Sequence, residues 1–150
     1  MKMLKKIEDI FATFHDGKIV NWSGNFEKLN LKISCAFLAE KFEYFYIELT
    51  KIQKLELLTY NNEKNIEQNK SSKSLYELSE IFCDEIEICY TKSIENYVQI
   101  DCWQTNETKN YIANKLLLNC ENIRIYDQNN VEIFEEKFFE ISDSYWGNSE

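Results

Sequence analysis

Histidine, cysteine and paired carboxylates are the side chains here able to act as nucleophiles, acids, bases or metal ligands. There is one histidine, His15, which excludes a metal site built from several histidines. The cysteines are Cys35, Cys83, Cys89, Cys102 and Cys120. They are never spaced as Cys-x-x-Cys, and no glycine-rich turn follows any of them to hold an oxyanion. We therefore expect His15 to be a turn residue that bonds Asp16 or the backbone, and the cysteines to be reduced residues of the core.

Paired carboxylates offer acid and base chemistry, but the surrounding pattern favours a solvated surface. Asp84 with Glu85, or Glu135 with Glu136, would suit the two roles at a glycosidic bond. Both pairs lie in acidic stretches of the kind that cover soluble proteins. With three glycines in the whole chain, neither a dinucleotide-binding pattern nor a P-loop is present. We expect no catalytic residue, no metal and no cofactor.

Length and composition predict one globular unit. The chain has 150 residues, of which 44% are hydrophobic and 15% aromatic, so it has enough apolar surface to fold as a single domain, 1–150. No run approaches the ~20 apolar residues of a membrane span, and the first residues lack the apolar core of a signal peptide. The odd number of cysteines adds to the prediction of a cytoplasmic protein.

The formal net charge of -9 is gathered in the second part of the sequence. Residues 1–70 carry 11 Lys and 10 Asp or Glu, whereas residues 71–150 carry 6 Lys or Arg against 16 Asp or Glu. Phosphate backbones require a basic face, so nucleic acid is a poor partner. The asymmetry instead favours a positively charged partner.

Hydrophobic periodicity predicts two helices and a series of strands. Apolar residues at helical spacing from Met3 to Phe14 indicate an amphipathic helix, and Ser74 with Glu77 resembles a capping box before a second helix that continues to Phe82. Alternation predicts strands at 18–23, 26–37, 42–50, 52–60, 85–91, 97–104 and 115–126. Residues 131–141 are expected to add one or two edge strands, and 142–150 a tail.

The two parts of the chain repeat the same order of elements. Ile52 and Leu55 lie 68 positions before Cys120 and Ile123, and other apolar positions align at the same offset or one residue from it. We predict an internal duplication, with repeats at about 3–62 and 71–130. The expected fold is α+β and mostly β: two tandem helix-plus-four-strand repeats that form a twisted antiparallel sheet or open barrel with pseudo-twofold symmetry.

Alternation also predicts a binding face. If Val98, Ile100 and Cys102 point inward, the side chains between them point outward. The expected partner-binding residues are Glu85, Glu87, Tyr97, Asp101 and Trp103. Acids beside aromatic rings suit a cationic protein. Tyr44, Tyr46 and Glu48 form a weaker counterpart in the first half. The alternative is that this face packs under a helix or the other half, which would make Trp103 and the tyrosines core residues.

One short segment resembles a known family. Phe14-His15-Asp16-Gly17-Lys18-Ile19, between a helix and alternating strands, resembles the Phe-His-Asp opening of small bacterial immunity proteins from polymorphic toxin systems. The second half has Phe82-Cys83-Asp84-Glu85 at the matching place, which favours a structural corner over catalysis. The resemblance implies an antitoxin that blocks one toxin, and the charge pattern fits a basic target such as a nuclease.

Three functions follow from these patterns. The first is a non-enzymatic protein-binding module, with the immunity role as its particular form. The second is a small-molecule-binding or hydrolytic β-rich domain with a pocket between the halves. The third is a structural module that forms a homodimer through the edge strand expected at 131–141.

Overall fold

The computed structural model describes residues 2–39, 42–61, 72–106 and 111–147. Its helices are α1 (Lys2–Thr13), α2 (Leu78–Ile81) and α3 (Glu135–Gly147). Its strands are β1 (Lys18–Gly24), β2 (Lys28–Ala39), β3 (Phe42–Asn61), β4 (Ser72–Leu75), β5 (Ile86–Ile94), β6 (Tyr97–Asn106), β7 (Tyr111–Tyr126) and β8 (Glu132–Ile133). The prediction of a mostly β protein with an antiparallel sheet is confirmed.

Six strands close into a ring in the order β1-β2-β3-β7-β6-β5. The long side of the ring is the β3–β7 pair, which runs from Tyr46 opposite Tyr126 to Asn61 opposite Tyr111. The short side is β1 with β5, which meet only at Lys18 opposite Glu87 and at the next residue pair. β4 and β8 extend the sheet beside β3 and β7. The sheet is therefore closed, whereas the sequence predicted a twisted antiparallel sheet or an open barrel.

The two strands predicted at 42–50 and 52–60 are one strand, β3. Lys51, the residue between them, has a φ of 51°, which bends the strand without ending it. Its N–H donates to the Glu27 carbonyl at 2.9 Å, and that of Ile52 donates to the Phe26 carbonyl at 2.8 Å. Because these bonds hold the bend to the β1–β2 turn, the chain stays in the sheet through a position that sequence patterns mark as a break.

The capping box predicted at Ser74 is wrong. Ser74 lies in β4, where its hydroxyl donates to the Glu56 carboxylate, and α2 begins only at Leu78, with Glu77 at the N-cap and no side-chain cap. Pairing of β4 with β3 satisfies the backbone around Ser74, so this serine is not available to begin a helix. The second predicted helix is therefore shorter than expected, because α2 has only four residues, about one turn.

The edge strands predicted at 131–141 are wrong beyond a two-residue strand. β8 covers Glu132 and Ile133, and α3 follows from Glu135 through the region expected to be a tail; residues 148–150 lie outside the described part. Phe138 is fully buried and Ser142 is buried four residues later, which is helical spacing. Two acidic residues in the first turn, Glu135 and Glu136, also favour the helix through its dipole.

The core lies between the ring and the two longer helices. α1 buries Ile7, Ile10 and Phe11 completely, and Phe14, directly after its last residue, is also fully buried. α1 packs on β5, β6 and β7, while α3 packs on β2. The strands contribute alternate side chains, so the predicted inward set of Val98, Ile100 and Cys102 is confirmed. Within the described ranges, no helix is long and apolar enough to cross a bilayer.

Cys35, Cys89, Cys102 and Cys120 are free thiols. Cys35, Cys102 and Cys120 are buried, as expected, and burial raises the pKa of each of these thiols to about 12. They remain protonated and weakly nucleophilic at neutral pH. The other two depart from the prediction, because Cys83 is exposed and Cys89 is half-buried.

Candidate partner-binding surface

His15 connects the end of α1 to β5. Its Nδ1 bonds the carbonyl oxygen of Cys89, and since a carbonyl only accepts, Nδ1 carries the proton. Its Nε2 lies 3.5 Å from an Asp16 carboxylate oxygen, and its ring lies 5.3 Å from the ring of Tyr90. His15 is thus a turn residue bonded to the backbone, with a carboxylate beside it.

The Asp16-Gly17 turn is docked on β5 by two backbone hydrogen bonds. The Asp16 N–H donates to the Ile88 carbonyl at 2.9 Å, and the Ile88 N–H donates to the Gly17 carbonyl at 2.8 Å. Asp16 has a φ of 70°, and a Cβ on Gly17 would lie 2.9 Å from the Phe14 carbonyl oxygen. The motif that carries the family resemblance is therefore a tight corner, which places the Asp16 carboxylate beside β5.

A β-bulge in β5 changes which side chains face outward. The register between β5 and β6 shifts between Ile88 and Tyr90, so Tyr90 pairs with Asp101. Unbroken alternation would turn Tyr90 inward, but its side chain is 70% exposed. Tyr90 is a surface residue that sequence reasoning missed.

Four of the five predicted partner-binding residues lie in one region. Trp103 pairs across the strands with Glu87, and Asp101 pairs with Tyr90 two positions earlier along β6. Trp103 is 48% exposed, so it is not a core residue. Glu85 lies in the exposed turn before β5.

Tyr97, the fifth predicted residue, lies apart at the beginning of β6. It is half-buried, and the Lys54 ammonium lies 5.1 Å from the centre of its ring. This cation–π contact already occupies the face of the ring. The structure thus does not bring Tyr97 together with the other four residues.

An open cleft of about 410 Å³ lies in the region that contains Trp103. Its lining residues are Lys18, Asp84, Glu85, Glu87, Trp103, Gln104 and Thr105. Lys18 is the cation of this set, and it pairs with Glu87 in the register of β1 and β5. The cleft therefore combines three carboxylates, one ammonium group and one large aromatic ring.

Several carboxylates around β5 lie close enough to affect the same group, the Cys89 thiol. Burial, followed by the charges of Glu87, Asp16 and Asp101, raises the pKa of the Cys89 thiol. Three elements, the α1–β1 corner, β5 and β6, thus bring negative charge to the same place. We call the outward-facing set formed by Asp16, Glu85, Glu87, Tyr90, Asp101 and Trp103 the acidic–aromatic face; Glu87 and Asp101 are half-buried and the other four are exposed.

Gln104 fixes the turn that carries part of this face. Its amide nitrogen donates to the carbonyl oxygens of Ile81 at 2.8 Å and Asp84 at 2.9 Å, and its amide oxygen accepts from the Tyr111 hydroxyl at 3.0 Å. Only 1% of Gln104 is exposed. Gln104 continues the inward series of Val98, Ile100 and Cys102 along β6, which places this polar residue inside the molecule.

Replacing Gln104 by leucine is expected to lower the free energy of unfolding by about 2 kcal/mol. The substitution leaves the Ile81 and Asp84 carbonyls and the Tyr111 hydroxyl without this partner in a buried site. Urea denaturation measures the change, and amide exchange should accelerate in the turn at 82–85. Gln99→Leu, the same change on the outer side of β6, is the control; equal losses in both variants would contradict a special role for Gln104.

The outer side of β2, β3 and β7 has a different character. The Lys32 ammonium lies 4.0 Å from the centre of the Tyr44 ring, which lies 5.5 Å from that of Tyr46. Glu48 is buried, and its carboxylate lies 3.6 Å from the Lys28 ammonium. Cations thus accompany the tyrosines here, and this side does not reproduce the acidic character of the acidic–aromatic face.

A second open cleft, of about 270 Å³, adjoins α1, β7 and β8. Ile10, Ile123 and Ile133 are among its apolar lining residues, and Lys6 and Arg124 among its charged ones. The small-molecule alternative requires a pocket where the two halves meet, and this cleft has lining residues from both halves. Among the described residues, no group of three or more His, Cys, Asp or Glu is placed to hold a metal ion.

Comparison with protein-family models, with curated proteins and with solved structures finds nothing that matches this chain. Its class is therefore defined by its own fold and surface: a ring of six antiparallel strands packed with helices, which carries an acidic–aromatic face. The resemblance of the segment from Phe14 to Ile19 to immunity proteins stays a prediction.

Proposed function

We propose that this chain is a non-enzymatic protein-binding module that takes a cationic protein on its acidic–aromatic face. The observation that carries the proposal is the cross-strand pair of Glu87 and Trp103, a carboxylate beside a half-exposed indole on the outside of the ring. Large exposed rings supply contact area, and neighbouring charges supply selectivity.

The charge distribution favours a basic partner over a neutral or acidic one. Residues 71–150 carry 16 acidic and 6 basic residues, and Asp16 joins their carboxylates at the corner after α1. Such a field accelerates the approach of a cationic protein and weakens with salt. The partner should therefore associate quickly, and more weakly as ionic strength rises.

The particular form of this function that we favour is an antitoxin-like role in the bacterial cytoplasm. Its support is the resemblance of the segment from Phe14 to Ile19 to immunity proteins of polymorphic toxin systems, together with the position of Asp16 on the acidic–aromatic face. A toxin that acts on nucleic acid needs a basic active site. An acidic surface that covers such a site would block it without any chemistry of its own.

We also propose that the fold arose from an internal duplication of a helix followed by four strands. Two observations support it. The sheet order is β4-β3-β2-β1-β5-β6-β7-β8. From its centre outward, β1 to β4 follow one another on one side and β5 to β8 follow in the same order on the other. Ile52 faces Cys120 across β3 and β7, and these residues are aligned in the two repeats.

Affinity capture from native bacterial lysate tests the proposed function. The immobilised wild-type chain should retain a basic protein that a salt gradient releases, and the Asp101→Lys and Trp103→Ala variants should fail to retain it. Asp101 and Trp103 both lie on the outer side of β6, so neither change opens the core. Capture of the same proteins by wild type and both variants would refute the acidic–aromatic face as the binding site.

A further inference from the structure

We propose that the anchor inserted by the cationic partner is an arginine side chain, with its guanidinium over the Trp103 indole and its N–H groups directed to Glu87 and Glu85. This inference rests on the proposed function and deepens it. It concerns the cleft of about 410 Å³ within the acidic–aromatic face. Carboxylates alone would not distinguish one cation from another, but the indole in the same cleft does.

The cleft has an aromatic wall next to an acidic one. Trp103 and Glu87 are directly opposed on β6 and β5, so their Cβ atoms are separated by about 5 Å. With 48% of its surface exposed, the indole retains free surface for a ligand. A cation that enters between the two groups meets the π system on one side and a carboxylate on the other.

The backbone that carries Asp84 and Glu85 is held in place before any partner arrives. Asp84 and Glu85 lie in the turn between α2 and β5, and the buried Gln104 amide bonds the Asp84 carbonyl at 2.9 Å. Because this turn is fixed, a ligand loses less entropy on meeting it than it would on a loose loop. The carboxylates of Asp84 and Glu85 extend from this fixed backbone and are exposed, so they can accept hydrogen bonds from a planar donor.

Arginine fits this arrangement better than lysine. A guanidinium is planar, so it can stack on an indole while its edge donates two parallel hydrogen bonds to a carboxylate. An ammonium group is a compact, strongly hydrated charge that gains less from the ring. The cleft is open to solvent, which suits a long side chain that enters from a partner's surface.

Lys18 opposes the binding of a cation in this cleft. It lines the cleft and pairs with Glu87 in the strand register, so its ammonium repels an incoming cation. Lys18→Gln should therefore tighten the binding of any cationic probe by about threefold. This effect places the probe in the cleft regardless of whether it prefers arginine.

Two peptides of equal length and charge test the inference: acetyl-Gly-Arg-Gly-Arg-Gly-amide and its lysine counterpart. The readout is the backbone amide signals of residues 84–88 and 101–105 in nuclear magnetic resonance titrations, which every variant retains. The indole N–H signal of Trp103, assigned with Trp103→Phe, is an added reporter in the chains that keep the indole. We expect the arginine peptide to bind about fivefold more tightly than the lysine peptide. Trp103→Leu should remove this preference while it leaves the lysine peptide within about twofold.

The controls separate failure of the inference from failure of the proposed function. Phe134→Leu changes another exposed aromatic residue, 72% exposed and outside this cleft, and should keep the arginine preference. Equal binding of both peptides, unchanged by Trp103→Leu, would overturn the arginine anchor and leave the cationic partner standing. If neither peptide moves the Trp103 signal, the anchor is also refuted, while salt-dependent capture of a basic protein still decides the proposed function. Trp103→Phe, which keeps a ring, should retain part of the preference.

Discussion

Replacing Phe14 by alanine is expected to lower the free energy of unfolding by about 4 kcal/mol, the typical cost of removing a large ring from a tightly packed core. Phe14 is fully buried, and its ring centre lies 5.8 Å from that of Phe45 and 5.0 Å from that of Phe138. It therefore joins α1, β3 and α3 at one point. Alanine would leave a cavity that three separate elements border.

Urea denaturation followed by circular dichroism measures this loss. Phe134→Ala is the matched control, because this phenylalanine is 72% exposed and should change the unfolding free energy by less than about 0.5 kcal/mol. Similar values for the two variants would show that the cluster of Phe14, Phe45 and Phe138 does not hold the helices to the sheet.

Reversing two charges on the acidic–aromatic face should weaken binding of the captured cationic partner by about 100-fold. The double variant Glu85→Lys with Glu87→Lys turns an attractive pair into a repulsive one beside Trp103. Neither side chain is buried, so the fold should survive. Surface plasmon resonance at two salt concentrations would show the loss mainly at the lower one.

A second double variant controls for the change in net charge. Glu136→Lys with Glu140→Lys alters the total charge equally, at exposed positions on α3. This variant should weaken binding only a few-fold through the long-range field. If both doubles weaken binding to the same degree, the partner responds to overall charge and the acidic–aromatic face has no special part.

Hydrophobic periodicity was enough to predict the elements in which buried and exposed side chains follow a regular helical or strand period. Apolar residues at helical spacing gave α1 with its buried face, and the buried Phe14 that directly follows it. Strict alternation in β6 gave the inward side and the exposure of Trp103. These predictions succeed because one buried face dictates the side-chain period of the element.

Irregular positions were missed because they depend on contacts between distant segments. The bulge at Cys89 turns Tyr90 outward. At this bulge the Cys89 carbonyl accepts a hydrogen bond from His15, which lies 74 positions earlier in the chain. The bend at Lys51 is likewise held by Glu27. No local pattern reveals these partners.

The C-terminal helix shows a different kind of error. Its apolar residues suit either a strand or a helix over a short window, and sequence reasoning chose strands. Phe138 packs against Phe14 and Phe45, and Ser142 is buried four residues later. This burial at helical spacing depends on contacts that a short window of sequence does not reveal. Closure of the strand ring has the same origin, since the pairing of β3 with β7 joins residues far apart in the chain.

The most direct test of the acidic–aromatic face is amide hydrogen exchange of the chain, free and bound to the captured cationic partner. Binding should slow exchange at residues 84–90 and 99–105, with smaller changes on the outer side of β2 and β3. Protection centred instead on residues 28–32 and 44–48, with no change around Trp103, would contradict the assignment of the binding site to this face.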